Sequence, residues 1–111
     1  MPENGPSPAV PRPTASHAEA AEHVAAGGVA VYWRPGCPFC SMLHLGLGED
    51  AAGATWTNIW EDPAAQDFVE LLNDGDATVP TVVTRTAHFV AASPEQVALT
   101  RTLIGAAPGP A

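Results

Sequence analysis

The strongest restriction on the fold of this chain comes from five consecutive apolar residues, Val29–Trp33, that are followed by the strand-breaking residues Arg34-Pro35-Gly36. Their side chains are mainly β-branched or aromatic and leave no polar face, so the run predicts a strand that is covered on both sides. Such a strand lies in the middle of a sheet, with helices above and below it. The run therefore predicts a layered α/β architecture.

The segments around this strand alternate between helix and strand patterns. A capping box at Ser16, an Asp62-Pro63 start and a second capping box at Ser93 mark the beginnings of three helices. The first predicted helix begins after Ser16 and ends at residues 27–28, and the other three span about 38–48, 63–72 and 94–104. Besides the central strand, the predicted strands span 54–60, 79–84 and 87–90. A βαβ unit followed by a ββα unit predicts a three-layer sandwich, in which a four-stranded mixed sheet is flanked by helices.

The two ends of the chain are predicted to be tails around a single domain. Residues 1–15 contain five prolines and one sizeable apolar side chain, so burial cannot offset the entropy of ordering them. We therefore expect a disordered tail over 1–15, a domain over 16–104 and a flexible Pro/Gly tail over 105–111.

Composition argues against several classes of partner. The chain of 111 residues has 12 acidic and four basic side chains, and its net charge of −8 repels nucleic acid and anionic membrane surfaces. Its longest apolar stretch, 24–33, has about ten residues, against about 20 for a membrane span. The first six residues lack the basic and apolar regions of a signal peptide. We expect a cytoplasmic monomer that binds neither nucleic acid nor membrane.

The two cysteines, Cys37 and Cys40, lie where the central strand gives way to a helix. In a reducing compartment such a pair indicates redox chemistry or metal binding rather than a structural disulfide. An ordinary cysteine is only about 3% ionised at pH 7, but the free N–H groups and dipole of a helix start, together with Arg34, favour the thiolate at Cys37. Cys40, one turn further along, is placed to resolve a mixed disulfide formed on Cys37.

A zinc site is the alternative interpretation of the two cysteines. His44 falls on the same face of the predicted helix as Cys37 and Cys40, so the three side chains form a conceivable Cys/Cys/His cluster. Zinc sites normally take four ligands, and the chain has no second cysteine pair. The redox interpretation is therefore favoured, and no metal is expected.

The apolar residues of the second helix, the tryptophans and three histidines are assigned no catalytic role. In the helix after the turn, Leu43 and Leu47 are expected in the core, which leaves Met42 or Leu45 exposed. The tryptophans are expected to pack on the sheet: Trp33, Trp56 and Trp60. Three histidines are expected to be solvated: His17, His23 and His88.

The run 31–40, which ends in Cys37-Pro38-Phe39-Cys40, resembles a glutaredoxin when it is combined with Thr78-Val79-Pro80 further along the chain. The resemblance covers residues 28–104 and is closest to the mycoredoxin branch, whose members have a final segment similar to 92–97. It implies a thioredoxin-like fold. It also implies a thiol–disulfide oxidoreductase that reduces mixed disulfides between proteins and a low-molecular-weight thiol.

The resemblance implies roles for individual residues. Cys37 matches the nucleophile and Cys40 the resolving cysteine. The groove that binds the thiol or substrate is expected to contain Arg34, Phe39, Thr78, Val79 and a cis-proline at Pro80. Arg34 stands where relatives often keep a lysine, and the backbone of Val79 is expected to pair with the substrate as an added strand.

The identity of the small thiol is inferred from a departure from the family pattern. Glutathione-using relatives carry a Gly-Gly-Cys/Ser-Asp loop before the last helix, whereas residues 90–94 here are Val-Ala-Ala-Ser-Pro. The resemblance therefore favours mycothiol, a sugar-based thiol, over glutathione as co-substrate, with no tightly bound cofactor. Two alternatives stay open: a protein-disulfide reductase recharged by a flavoprotein reductase, and a module that binds an iron–sulfur cluster through Cys37 and a small thiol.

Overall fold

The computed structural model of the protein describes residues 15–107, and within them helices and strands follow the predicted order. The elements are α1 (His17–Ala25), β1 (Val29–Trp33), α2 (Pro38–Leu47), β2 (Ala54–Asn58), α3 (Pro63–Leu72), β3 (Thr81–Val83), β4 (His88–Val90) and α4 (Pro94–Ala106). A 3₁₀ helix, Gly48–Gly53, which the sequence analysis did not predict, connects α2 to β2. In this part of the chain, no helix has both the length and the apolar character that crossing a membrane requires.

The strands form one mixed sheet in the order β2-β1-β3-β4. The central strand β1 pairs in parallel with β2 and antiparallel with β3, and β4 pairs antiparallel with β3. All five residues of β1 are buried. This confirms the prediction of a central strand, because only a strand covered on both faces can dispense with a polar side.

Helices cover both faces of the sheet. Tyr32 of β1 contacts Phe68 of α3 and His17 of α1, with ring centroids 5.4 Å and 5.8 Å away. Trp56 of β2 pairs with the residue before Tyr32, so its side chain points to the other face, where its ring meets His44 of α2 at 5.1 Å. Since α4 packs against α2, the structure has the predicted three layers.

The prediction that His17 and His23 lie in solvent was wrong, because both histidines of α1 are partly buried. The Nδ1 atom of His17 is 2.9 Å from the hydroxyl of Tyr32. The ring of His23 occupies the space that a Cβ would fill at Gly28, and its Nε2 atom is buried. An alanine-rich helix has few large side chains, so the His17 imidazole fills space against the sheet and the His23 imidazole packs on the connection to β1. His88 is exposed, as predicted.

Two strands are shorter than predicted. The strand β2 ends at Asn58 because this residue closes a turn. The Oδ1 atom of Asn58 accepts the backbone N–H of Trp60 at 2.8 Å, and the carbonyl of Asn58 accepts the backbone N–H of Glu61 at 3.1 Å. The strand β3 begins only at Thr81, since Pro80 has no N–H to donate to a ladder. Trp60 therefore leaves the sheet.

The ends of the folded unit also differ by a few residues from the predicted boundaries. The N–H of Ala15 donates to the carbonyl of Trp56 at 2.8 Å, so the chain is attached to β2 just before the predicted domain start. The helix α4 continues through Gly105 to Ala106, because an interior glycine costs a helix only about 1 kcal/mol relative to alanine. The predicted tails over 1–14 and 108–111 lie outside the described residues.

Asp62 joins the N-termini of two helices. Its carboxylate caps α3 by accepting the N–H of Ala64 at 3.1 Å, and it also accepts the N–H of His17, the first residue of α1, at 2.7 Å. The N–H of His17 is the largest of the influences that hold the pKa of the Asp62 carboxyl below its ordinary value of 3.8. This stabilisation is complete at neutral pH and is lost as the pH falls through the lowered pKa of the folded state.

We expect Asp62→Ala to lower the free energy of unfolding by about 1–2 kcal/mol, because it removes a cap from two helices at once. Asp62→Asn keeps a cap oxygen but does not titrate, so it should lose less stability at pH 7 and show a weaker acid dependence. Urea unfolding at pH 7 and at about pH 3 measures both effects. Asp67→Ala, at an exposed position of the same helix, is the control, and an equal loss there would refute the capping role.

Candidate active site

The cysteine turn lies at the carboxyl end of the central strand. The connection from β1 to α2 passes through Gly36, whose φ of +75° is accessible to a residue without a Cβ. Cys37 is the N-cap of α2, and Pro38 is its first residue, where a missing N–H costs no helical hydrogen bond. The turn thus places both cysteines at the end of the sheet where α/β folds bind their ligands.

The sulfur of Cys37 is surrounded by backbone polar groups. It accepts the N–H of Cys40 at 3.3 Å, and the thiol donates to the carbonyl of Val79 at 3.7 Å. Both cysteines are free thiols, and Cys37 is 5% exposed while Cys40 is 1% exposed. The hydrogen bond from the first turn of α2 to Cys37, which the sequence analysis predicted, is therefore present.

Cys40 is electrostatically different from Cys37. Burial raises the pKa of the Cys40 thiol, and the hydrogen bond that it shares with the Cys37 side chain raises it further. The backbone N–H and the positive charge of Arg34 act in the opposite direction without cancelling this effect. Cys40 is consequently a neutral thiol at physiological pH.

The segment 78–80 contributes the backbone of Val79 to the site. The Val79–Pro80 peptide bond is cis, as the resemblance implies, and the carbonyl of Pro80 accepts the N–H of Ala91 at 2.9 Å. Within residues 15–107, neither the N–H nor the carbonyl of Val79 pairs with another backbone group, and that carbonyl contacts the Cys37 thiol. Thr78 is exposed beside it. Next to Cys37, the backbone of Val79 is therefore not engaged in the sheet, and its carbonyl is held by the Cys37 thiol.

Arg34 and Trp60 form a second border of the site, called the Arg34–Trp60 pair below. The guanidinium carbon of Arg34 lies 5.5 Å from the centroid of the indole. A Cβ built on Gly36 would lie 3.9 Å from Nη1 of the same arginine, so the charge stands next to the residue that precedes Cys37. Trp60 is 62% exposed, and Phe39 is half exposed. The pair brings a large apolar face and a fixed positive charge to the cysteine turn.

The prediction that Trp60 packs on the sheet was wrong. Trp33 and Trp56 are buried, as predicted, but Trp60 lies beyond the turn that ends β2. The sequence does carry a signal for this turn, because Asn58 stands two residues before Trp60, and asparagine side chains commonly bond to the backbone two residues ahead. Hydrophobicity alone predicts a buried indole, whereas the indole of Trp60 is exposed.

His44 does not join the cysteines. Its ring packs edge-on against Trp56, with centroids 5.1 Å apart, and burial lowers its pKa. Between residues 15 and 107, no three side chains of Cys, His, Asp or Glu are grouped so that they could hold a metal ion. The geometry of the described residues therefore does not support the Cys/Cys/His alternative.

Comparison with known proteins places the chain in a family. The family model described as Glutaredoxin matches residues 29–89, more than half of the 111 residues, and the match includes both cysteines and the Val79–Pro80 bond. The chain belongs to the glutaredoxin family. Members of this family are thiol–disulfide oxidoreductases, and this is the general class of the protein.

A comparison of structures agrees on the fold. The crystal structure of wheat glutaredoxin matches with a TM-score of 0.56 and 22% sequence identity, over 84% of this chain and 93% of the wheat protein. This likeness shows the thioredoxin-like fold. No curated protein matches the chain.

Proposed function

We propose that this member of the glutaredoxin family reduces mixed disulfides between proteins and a low-molecular-weight thiol, with Cys37 as the nucleophile. The observation that carries the proposal is the difference between the two sulfurs. A negative charge on the Cys37 sulfur is stabilised by the hydrogen bond from the N–H of Cys40 and by the positive end of the α2 dipole. Cys40 is more deeply buried, and its raised pKa keeps it protonated.

In the first step, the thiolate of Cys37 attacks the small-thiol sulfur of the mixed disulfide. A new S–S bond joins Cys37 to the small thiol, the original S–S bond breaks, and the protein substrate leaves as a thiolate with the electron pair. The backbone N–H of Val79, and its carbonyl once the Cys37 thiolate no longer donates to it, bind an extended segment of the substrate as a sheet edge binds an added strand. Arg34, Phe39 and Thr78 border the same groove.

In the second step, another molecule of the small thiol attacks the adduct on Cys37. This releases the small-molecule disulfide and restores the Cys37 thiolate. Cys40 can instead attack Cys37 and expel the small thiol, which closes a disulfide within the turn. The raised pKa of Cys40 favours the first route, because a thiol must lose its proton before it attacks.

The loop before α4 supports mycothiol rather than glutathione as the small thiol. The N–H of Ala92 donates to Oε1 of Gln96 at 2.9 Å, and the N–H of Ala91 donates to the carbonyl of Pro80 at 2.9 Å. These backbone donors are already used within the protein, and the loop has no aspartate. The ammonium end of a γ-glutamyl group therefore finds no carboxylate in this loop, and its carboxylate end would have to compete with existing hydrogen bonds for the N–H groups of Ala91 and Ala92.

Turnover with the two thiols tests this proposal. The oxidised protein is offered mycothiol or glutathione, each with its own reductase, and NADPH consumption is followed with a protein mixed disulfide as substrate. We expect mycothiol to sustain turnover at least about tenfold faster, which corresponds to one lost hydrogen-bonded contact. Equal rates would contradict the choice of thiol. Turnover that needs only a flavoprotein thioredoxin reductase would support the protein-disulfide reductase instead.

A further inference from the structure

Trp60 has the largest exposed apolar side chain in the described part of the chain, and its position is held from two sides. Its backbone N–H donates to Oδ1 of Asn58 at 2.8 Å, and its indole ring lies against the guanidinium of Arg34. Leaving an indole in water forgoes the free energy of burying it. An exposed tryptophan in a fixed position is typical of a binding surface, where tryptophan and arginine contribute much of the affinity.

The Arg34–Trp60 pair is joined to the cysteine turn through the sheet. The parallel strands β1 and β2 end side by side, with Trp33 opposite Asn58, and the N–H of Ile59 donates to the carbonyl of Trp33 at 2.9 Å. Arg34 and Trp60 therefore leave the carboxyl ends of neighbouring strands, where open α/β sheets bind their ligands. The charge of Arg34 lies next to Gly36, the residue before Cys37, and the indole lies against that charge.

We propose that the Arg34–Trp60 pair binds the sugar part of the small thiol and so selects a sugar-based thiol over a peptide thiol. This inference rests on the proposed function, which supplies the thiol. The face of an indole is electron-rich and attracts the C–H groups on the face of a sugar ring. The guanidinium of Arg34 lies over the indole with its carbon 5.5 Å from the ring centroid, and Nη1 donates to the carbonyl of Pro35 at 3.0 Å. Its remaining N–H donors lie in one plane and suit the hydroxyl oxygens at the edge of a sugar ring. One apolar face and one donor array together match a polyhydroxylated ring.

Acrylamide quenching of tryptophan fluorescence tests the contact directly. Trp33 is 1% and Trp56 is 2% exposed, so the quenchable emission comes from Trp60. The Cys40→Ser protein is prepared as three mixed disulfides on Cys37, with mycothiol, with glutathione and with a methylthio group. We expect the mycothiol adduct to lower the quenching constant at least about threefold relative to the methylthio adduct, because a stacked ring shields the indole.

The glutathione adduct should shield the indole less than the mycothiol adduct does. Equal quenching of the mycothiol and methylthio adducts would overturn the contact. Equal shielding by mycothiol and glutathione would overturn its selectivity.

Kinetics of Trp60 variants provide the second test. Trp60→Ala should raise the KM for a mycothiol mixed disulfide about tenfold, as expected for the loss of one aromatic contact, with kcat nearly unchanged. Trp60→Phe keeps a ring and should recover most of the affinity. A 2-mercaptoethanol mixed disulfide has no sugar, so its KM should not change. Leu71→Ala, an exposed apolar position on α3, is the matched control.

The failures of the two proposals are distinguishable. A wild-type protein that turns over with neither mycothiol nor glutathione refutes the proposed function and this inference together. Turnover with glutathione but not with mycothiol refutes the choice of thiol, and this inference with it. Mycothiol turnover in which Trp60→Ala leaves the KM unchanged, or raises it equally for 2-mercaptoethanol, overturns only the role of Trp60.

Discussion

Replacing Cys37 with serine should lower the rate of mixed-disulfide reduction at least about a thousandfold, the scale of loss seen when an enzyme loses its nucleophile. A serine hydroxyl keeps the shape of the thiol and can accept the N–H of Cys40, but it does not ionise near neutral pH and cannot form the S–S bond of the adduct. The rate is measured with a mycothiol mixed disulfide of a peptide, coupled to NADPH consumption. Full activity of Cys37→Ser would show that another group is the nucleophile.

Cys40→Ser is the matched control, since it makes the same change one helical turn further along. We expect this variant to keep most of its activity, because the second step then proceeds with an external small thiol and does not need the buried sulfur of Cys40. Complete loss in Cys40→Ser would instead indicate a dithiol mechanism, in which Cys40 must resolve every adduct.

Replacing Leu43 with alanine should lower the free energy of unfolding by about 3 kcal/mol, the usual cost of removing a fully buried leucine side chain. Leu43 lies on the core side of α2 and has no exposed surface. Leu45 lies on the same helix and is exposed, so Leu45→Ala should change stability by less than about 0.5 kcal/mol. Urea unfolding of both variants measures the difference. Similar losses in the two variants would contradict the orientation of α2.

The elements that were predicted correctly depend on neighbours in the sequence. The apolar run of β1 has one explanation, burial on both faces, and the structure confirms it. The caps at Ser16, Asp62 and Ser93 also act within a few residues. Each side chain accepts a hydrogen bond from a backbone N–H in the first turn of its helix, as predicted. The second capping box differs in one detail, because the Gln96 side chain accepts the N–H of Ala92 rather than that of Ser93.

The errors concern contacts between distant parts of the chain. His17 meets Tyr32 and Phe68, and the pattern of α1 holds no information about either ring. Tryptophan is common in strands, but the turn at Asn58 ends β2, and β1 ends opposite the same residue and offers no partner for a longer strand. The turn has a local signal, whereas the end of the neighbouring strand is not visible in local propensity.

The same distinction applies to the candidate site. The cysteine turn lies within four consecutive residues, so the hydrogen bond between Cys40 and Cys37 could be predicted from helix geometry. The contact between Cys37 and Val79 joins residues 42 positions apart, and only the family resemblance suggested it. The Arg34–Trp60 pair was not predicted, because it depends on two strands ending side by side.

Limited alkylation of the reduced protein shows directly which sulfur reacts. Less than one equivalent of iodoacetamide is added at pH 7, and fragment masses of the peptide that contains both cysteines locate the label. We expect at least about tenfold more label on Cys37 than on Cys40, because alkylation requires a thiolate and the pKa of the buried Cys40 is raised. Equal labelling of the two cysteines, or a preference for Cys40, would contradict the assignment of Cys37 as the reacting sulfur.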